Sequence, residues 1–576
     1  MNKQMQEGPK APKDPTKKRK GFYIMRNKSV AGSPQADGKG IQFIYLDNGR
    51  MLTLAGMVGN ITDENILEMM KTTEGFRRLV HSIGVTVETE DKDEEVEFVF
   101  QMYGKTDPYQ TGTVLKLPVK ADGMEQVLNL EECQWSDDDN VVGQARFVFD
   151  KAGTVATVAV KFYLHDGFEV PDIEEENPVD FESEYYSDMI SKSVMQTGNN
   201  YRLKKAIEKA RRGEDVTIAF IGGSITQGAG AVPINKECFA YKTYQGFCKL
   251  VGKTTEENIH YVKAGVGGTP SELGMLRYDR DVLSDGKVEP DVVVVEFAVN
   301  DEGDETKGEC YDSLVRKIMN AKNKPAVILL FAVFSNDWNL QERLAPVGEA
   351  YELPMVSAKN AVVEQFYKKS GEGRVLSKNQ FFYDIFHPNS TGHTIMADGI
   401  IRLLEIVDKQ EMSEKDVDIS AIEPPLGKEF ENVKVIDRTH GYEGVVIDCG
   451  SFCDTDTELQ AVERNMDLKQ TPQFPDNWMY RGTKETAEPI PFVMDITCTA
   501  LLIIVKDSAM AAVGSADVIV DGEKVLTYDP HQVGWTHCSP AIVFRGKERK
   551  SYHVEVRMAQ GDEKKDFTIL GFGFVE

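Results

Sequence analysis

The spacing of apolar residues changes character twice along the chain. From about residue 21 to 170, short runs alternate apolar and polar positions, as in Val85-Thr86-Val87-Glu88-Thr89 and Val96-Glu97-Phe98-Val99-Phe100. A period of two marks a half-buried strand. Similar runs at 114–119, 145–149 and 155–164 are separated by the turn residues Lys120-Ala121-Asp122-Gly123 and Asp150-Lys151-Ala152-Gly153. The pattern predicts an antiparallel β-sandwich with one helical insertion near 63–79. Residues 171–195 read as an acidic linker with two prolines. A helix follows at 201–212, its basic residues toward the C-terminal end where the macrodipole favours them.

The pattern then becomes α/β. Apolar runs at 216–221, 259–266, 292–299, 326–334 and 353–356 alternate with helical segments such as 270–283 and 311–321. Val292-Val293-Val294-Val295 is continuously apolar, which fits a parallel strand covered on both faces. Residues 215–410, within a domain bounded at 196–412, predict an open parallel sheet with helices on both sides, a three-layer α/β/α arrangement. From 430 to 576 the chain is β-rich again, with strands expected at 444–448, 500–506, 516–520, 541–544, 552–557 and 568–575. Val520-Asp521-Gly522-Glu523 is a hairpin signal. A second β-sandwich is expected there. No repeat of solenoid period occurs.

Composition narrows the function. A chain of 576 residues accommodates three to four domains, and an apolar fraction of 41% suffices for packed cores. The 93 acidic and 66 basic residues leave a net charge of −27, which argues against nucleic acid or an anionic membrane as partner. The one basic block, Lys17-Lys18-Arg19-Lys20, ends a Pro- and Lys-rich tail (residues 1–20) that reads as disordered and solubilising. No apolar run reaches the roughly 18–20 residues of a membrane span, and residues 1–20 lack the apolar segment of a secretory signal, so a cytoplasmic location is expected. Eight cysteines are scattered; Cys449 and Cys453 stand four apart without a CxxC or clustered histidines. Reduced structural thiols and no metal are the expectation.

Four segments of the α/β region carry chemistry: Gly222-Gly223-Ser224-Ile225-Thr226, Gly265-Val266-Gly267-Gly268-Thr269, Ala298-Val299-Asn300-Asp301 and Asp384-Ile385-Phe386-His387-Pro388. Three directly follow an expected buried strand, at the edge where open parallel sheets bind ligands. The glycines before Ser224 let the backbone turn sharply. They would also suit a phosphate-binding turn, but the P-loop lysine and the dinucleotide spacing are both missing. Alone, Ser224 reads equally as nucleophile or turn residue. Asp384 and His387 suit a pair in which the carboxylate fixes the ring tautomer and leaves the other nitrogen for a serine hydroxyl. His387 suits equally a cap on the helix starting near Ser390. Asn300 is either a turn residue or an amide aimed at an oxyanion, with the N–H groups of Gly268 and Ser224 as further donors. His393 falls inside the following helix, a packing or surface position. Together the segments offer a hydroxyl nucleophile, oxyanion donors and a base, as acyl transfer to water requires.

The order and placement of these segments resemble the SGNH (GDSL-type) hydrolases over residues 200–410. The resemblance implies Ser224 as nucleophile, Asp384 and His387 as the rest of a triad, Ser224, Gly268 and Asn300 as oxyanion donors, and no cofactor. Two positions depart from the family pattern: Gly223 stands where Asp is usual, and Ala298 where Gly is usual. Neither removes a catalytic group. The Gly-Gly-Ser-Ile-Thr form, with Ala264-Gly265-Val266-Gly267-Gly268-Thr269-Pro270-Ser271, is most similar to the mannan-deacetylating acetylesterases of carbohydrate esterase family 17. In those a β-sandwich carbohydrate-binding module follows the hydrolase. Residues 200–576 resemble that two-domain unit, with the N-terminal β domain as an addition.

Two tryptophans of the C-terminal region, Trp535 and Trp478, sit in segments that read as loops and suit stacking on a sugar ring, or else core and interdomain packing. The expected function is a serine esterase that removes O-acetyl groups from plant-type oligosaccharides such as mannan or xylan fragments. An esterase or thioesterase of another short acyl group, and a carbohydrate-binding protein with a spent core, are the alternatives.

Overall fold

In the computed structural model of the chain, residues 19–576 are described except for 35–39, 46–47, 256, 468 and 484–488. Most of the basic tail, residues 1–18, therefore lies outside the described residues. Two compact units divide the chain, Met1–Glu175 and Glu176–Glu576.

The first unit has two antiparallel sheets. One runs Gly21–Ala31, Val155–Leu164, Val80–Glu88, Gln126–Asn129; the other runs Ser33–Pro34, Ile41–Tyr45, Asp139–Phe149, Glu95–Gly104, Val114–Lys120. Their apolar faces share one core, in which Phe76, Phe100 and Phe162 meet at ring distances of 5.2 to 6.0 Å. Three helices, Asn48–Gly59, Glu64–Met69 and Thr73–Leu79, replace the single helical insertion expected. The breaks are local. Asp63 accepts the N–H of Asn65 and Thr72 accepts that of Gly75, so each side chain restarts a helix by capping it.

The second unit holds a six-stranded sheet in the order Val194–Gln196, Met355–Ser357, Ala326–Phe331, Val292–Glu296, Val216–Gly222, Ile259–Gly265. All neighbours are parallel except the Val194–Gln196 edge. That edge corrects the reading of residues 171–195 as a linker. Glu176 accepts the side chains of Ser377 and Asn379, helix Glu184–Ser191 buries Tyr186, Met189 and Ile190, and Val194–Gln196 extends the sheet. The three buried residues follow helical i, i+3, i+4 spacing, which the acidic flanks obscure.

Beyond residue 430 two more antiparallel sheets share a core. The expected hairpin forms: Val520 pairs with Glu523, and Asp521 (φ 51°) and Gly522 (φ 83°) both take the left-handed conformation of a tight primed turn. Strand Ala500–Asp507 is buried along its whole length. Leu501, Ile503 and Val505 face the core of their own region, whereas Leu502 and Ile504 join Leu276, Leu314 and Phe430 in the core of the hydrolase sheet. Approach is close enough that a Cβ at Gly573 would stand 2.2 Å from Leu276 Cδ2. The continuous apolar run at 500–505 thus records a strand covered on both faces, one of them by the α/β region.

Candidate active site

Strand Val216–Gly222 lies between Ile259–Gly265 and Val292–Glu296, with Gly222 in register with both Gly265 and Glu296. The chain steps to opposite sides of this strand, so its carboxyl end is the switch point where open sheets bind ligands. Fully buried Arg277 donates to the carbonyls of Gly222 and Ala264, both at 2.7 Å, and pairs with Asp281 at 3.2 Å. Burial lowers the guanidinium to about 10, so it stays charged. Burial works against the Asp281 charge, but Arg280, Arg277 and Arg464 outweigh it and hold the carboxyl at about 2. Two strand ends are thereby locked side by side where their chains turn out of the sheet.

After Gly223 the backbone enters one helical turn, Ser224–Gln227, which carries the serine to the top of the sheet. His387 Nε2 stands 2.9 Å from Ser224 Oγ, and His387 Nδ1 lies 3.0 Å from both Asp384 oxygens. Asp384 Oδ1 also accepts the N–H groups of Phe386 and His387, each at 2.8 Å. Burial would raise the Asp384 pKa, but the His387 contact and these N–H groups outweigh it and keep the carboxyl below its ordinary value. A charged carboxylate requires the proton on Nδ1 and leaves the Nε2 lone pair for the serine hydroxyl. The alternative of His387 as a helix cap fails, because Asn389 caps helix Ser390–Lys409 by accepting the N–H of Gly392. His393, fully buried, accepts from Phe239 N–H and donates to the Ala229 carbonyl, and burial drops it to about 3. It is a packing residue.

Ser224 N–H, Gly268 N–H and the Asn300 amide NH₂ have no acceptor among the described residues. The strand before Asn300 ends at Glu296, earlier than expected, and Asn300 sits on the turn that follows, its N–H bonded to the Phe297 carbonyl. Its side chain lies flat on Gly223: a Cβ there would stand 2.3 Å from Asn300 Oδ1 and 2.8 Å from Nδ2. With glycine at this position the Asn300 amide occupies the space a Cβ would take. Gly268 holds φ +73°, so glycine is required there for conformation instead.

The C-terminal region reaches this loop. Trp535, in a bend as expected, is 44% exposed. Its ring edge comes within 3.0 Å of where a Gly268 Cβ would stand, beside His537 Nε2 at 3.1 Å. The two rings meet edge-on at 4.7 Å. His537 is buried; its Nδ1 contacts Ser539 Oγ at 2.9 Å, and its Nε2 has no hydrogen-bond partner among the described residues. Nothing local in the sequence marks it. Trp478 requires a correction. It is 4% exposed, lies in strand Trp478–Tyr480 paired with Phe567–Val575, and packs on Phe492 and Phe572. The Pro475-Asp476-Asn477 segment before it reads as a loop, but the ring turns inward into the core of the C-terminal β region. A further aromatic group, Trp338 stacked on Phe334 and Phe334 against Phe386, borders the His387 loop and was also missed by sequence reasoning.

Beneath the site lie buried carboxyls. Burial pushes Glu296 up to about 8, and Thr226 of the serine turn donates to it at 3.3 Å. Burial pushes Asp301 up to about 7 against two hydrogen bonds from Ser271. Glu272, within 4.8 Å of Asp304 and Cys310, rises to about 9, first through burial and then through Asp304. Protonated, Glu272 can share its hydrogen with Asp304.

The architecture and the serine–histidine–aspartate series define a hydrolase of carboxylic esters. Residues 220–395 match the GDSL-like Lipase/Acylhydrolase family. No curated protein matches the sequence. Among solved structures, a two-domain esterase (CEX) active on acetylated mannans, co-crystallised with mannopentaose, is 28% identical with a TM-score of 0.55, over 67% of this chain and 98% of that one. A second structure of a two-domain esterase (CEX) active on acetylated mannans gives 27% identity and a TM-score of 0.56, over 67% and 99%.

Two outcomes follow from this geometry. Gly223→Ala pushes the Asn300 amide off the serine turn and lowers kcat on a small acetate ester by about 10²-fold, with KM little changed, as loss of an oxyanion donor does; steady-state kinetics check it. Glu272, Asp301 and Glu296 titrate higher folded than unfolded, so the stability they contribute is full below the ordinary carboxylate range and is lost as pH rises through about 7 to 9. Urea unfolding at pH 6 and pH 9 should show this fall in the wild type and a smaller fall in Glu272→Gln.

Proposed function

We propose that the enzyme removes O-acetyl groups from mannan-type or related xylan oligosaccharides through an acetyl-enzyme. The observation that carries this is the likeness to the two-domain acetylmannan esterase, which spans nearly all of that protein, together with an exposed tryptophan at the loop that bears Gly268. Ser224 Oγ attacks the acetyl carbonyl while His387 Nε2 takes its proton, and Asp384 stabilises the imidazolium. The negative oxygen is held by Ser224 N–H, Gly268 N–H and the Asn300 amide. The C–O bond to the sugar breaks, and His387 returns its proton to the departing sugar oxygen. Water, deprotonated by His387, then attacks the acetyl-serine; acetate leaves and Ser224 recovers its proton.

In this reading the central domain is a three-layer α/β/α hydrolase flanked by β-sandwiches. Trp535 stacks on a sugar ring beside the acetylated one. The unpaired thiols suit a reducing compartment, and we place the enzyme in the cytoplasm. No helix is long and apolar enough to cross a membrane among the described residues.

Mass spectrometry of acetylated oligosaccharides before and after treatment tests the proposal. Loss of acetyl groups is expected, and hydrolysis confined to longer acyl esters would overturn it. Ser224→Ala should keep the fold by circular dichroism and lose several orders of magnitude in rate. Trp535→Ala should slow deacetylation of oligosaccharides by roughly five- to tenfold and spare a small acetate ester, since one stacking contact is worth about 1 kcal/mol. Equal loss on both substrates would make Trp535 a support for the Gly268 loop.

A further inference from the structure

We infer that Gln460, which lies in the C-terminal β region, sets the direction of the Gly268 N–H and so is a positioning residue for ester hydrolysis. The inference rests on the reading of that N–H as an oxyanion donor. Gln460 Nε2 donates to the Gly267 carbonyl at 2.8 Å. That carbonyl and the Gly268 N–H belong to one peptide group, and in a planar trans peptide the two point in opposite directions. Holding the carbonyl from one side therefore aims the N–H to the other. The control matters here because both flanking residues are glycine, and rotation of the peptide between two glycines meets little steric resistance.

Gln460 is itself fixed. The residue is 7% exposed, its Oε1 accepts the N–H of Cys538 at 3.0 Å, and its backbone carbonyl accepts the N–H of Gln473 at 2.8 Å. With Oε1 committed to a donor and Nε2 to an acceptor, the amide has one orientation. A second clamp holds the same loop: Gly267 N–H donates to Gln227 Oε1 at 3.1 Å, and Gln227 Nε2 donates to Glu463 Oε2 at 2.8 Å. Gln460 precedes and Glu463 ends the short strand Ala461–Glu463. Both faces of the Gly267 residue are thus pinned from outside the hydrolase domain, one directly and one through Gln227. A residue that only joined the two regions could bind any surface carbonyl; this one takes the carbonyl of the peptide that carries the donor.

The test uses the full chain with a small acetate ester, which makes no sugar contacts. Gln460→Met keeps the volume and removes both bonds. Gln460→Glu keeps the acceptor for Cys538 and replaces the donor with a group that donates only when protonated. Expected are a loss in kcat of about 10- to 100-fold in Gln460→Met with KM within twofold. For Gln460→Glu, kcat relative to wild type should recover as pH falls, which a purely structural role would not produce. Melting temperatures of both variants, measured in parallel, must lie above the assay temperature; if Gln460→Met does not fold, the Gln460→Glu pH profile decides alone. A folded variant with kcat within twofold of wild type, a change in KM alone, or a pH-independent ratio for Gln460→Glu would overturn the inference. Ser224→Ala, run alongside, separates the two levels: full activity there would sink the site itself, whereas an inactive Ser224→Ala beside a fully active Gln460→Met would sink only the role of Gln460.

Discussion

The site depends on one buried cation. Where strands Val216–Gly222 and Ile259–Gly265 stop, one last backbone bond, from Val266 N–H to the Gly222 carbonyl at 3.1 Å, joins their chains. Arg277 spans the gap by donating to a carbonyl of each, and its charge is met by Asp281, which also contacts Arg280. An isolated charge at this depth would be costly; paired and hydrogen-bonded, it makes a rigid crossbar. The serine turn leaves from one end of that bar and the glycine loop from the other. The separation between Ser224 and the Gly268 peptide is therefore set from below by a guanidinium, and from above by the Gln227 contact to the Gly267 N–H.

How much of this could be read from sequence differs by the range of the contact involved. The parallel strands were legible because burial on both faces leaves a continuous apolar run, as at Val292–Glu296. Ser224, Asn300, Asp384 and His387 were legible because each stands at a strand end or on a tight loop within a short motif. The helix Glu184–Ser191 was hidden by the acidic residues around it, and the loop-like residues before Trp478 concealed a three-residue strand. Arg277, Gln460 and His537 could not have been found. Each looks like an ordinary polar residue in its own neighbourhood, and its partners are brought to it only by the tertiary fold. The reason for Gly223 was likewise invisible, since it lies in the volume taken by Asn300, a residue 77 positions away.

The C-terminal β region is not an appendage. Strand Ala500–Asp507 gives alternate side chains to two cores, and Leu276 of the α/β region fills the space that Gly573 leaves open. Burial of this kind and extent makes the two regions one packing unit, in keeping with the single compact body from Glu176 to Glu576. The same region supplies Trp535 to the rim of the site and Gln460 to its glycine loop. The Ser224–His387–Asp384 series and its surroundings are therefore built on a shared frame, so a change that alters how the β region packs will be felt there.

The Gln460–Gly267 bond spans 193 positions of chain. A ribosome makes the serine turn, the glycine loop and the His387 loop well before residue 460 exists, and Cys538, which orients Gln460, comes later still. Closing a contact over so long a stretch is slow, because chain entropy must be lost before the contact contributes. The nascent hydrolase segment therefore passes through a stage in which Ser224, Asp384 and His387 have been synthesised but the Gly267 carbonyl lacks Gln460. The Gln460 contact can form only once the chain through Cys538 has been made and the β region has docked on the α/β region.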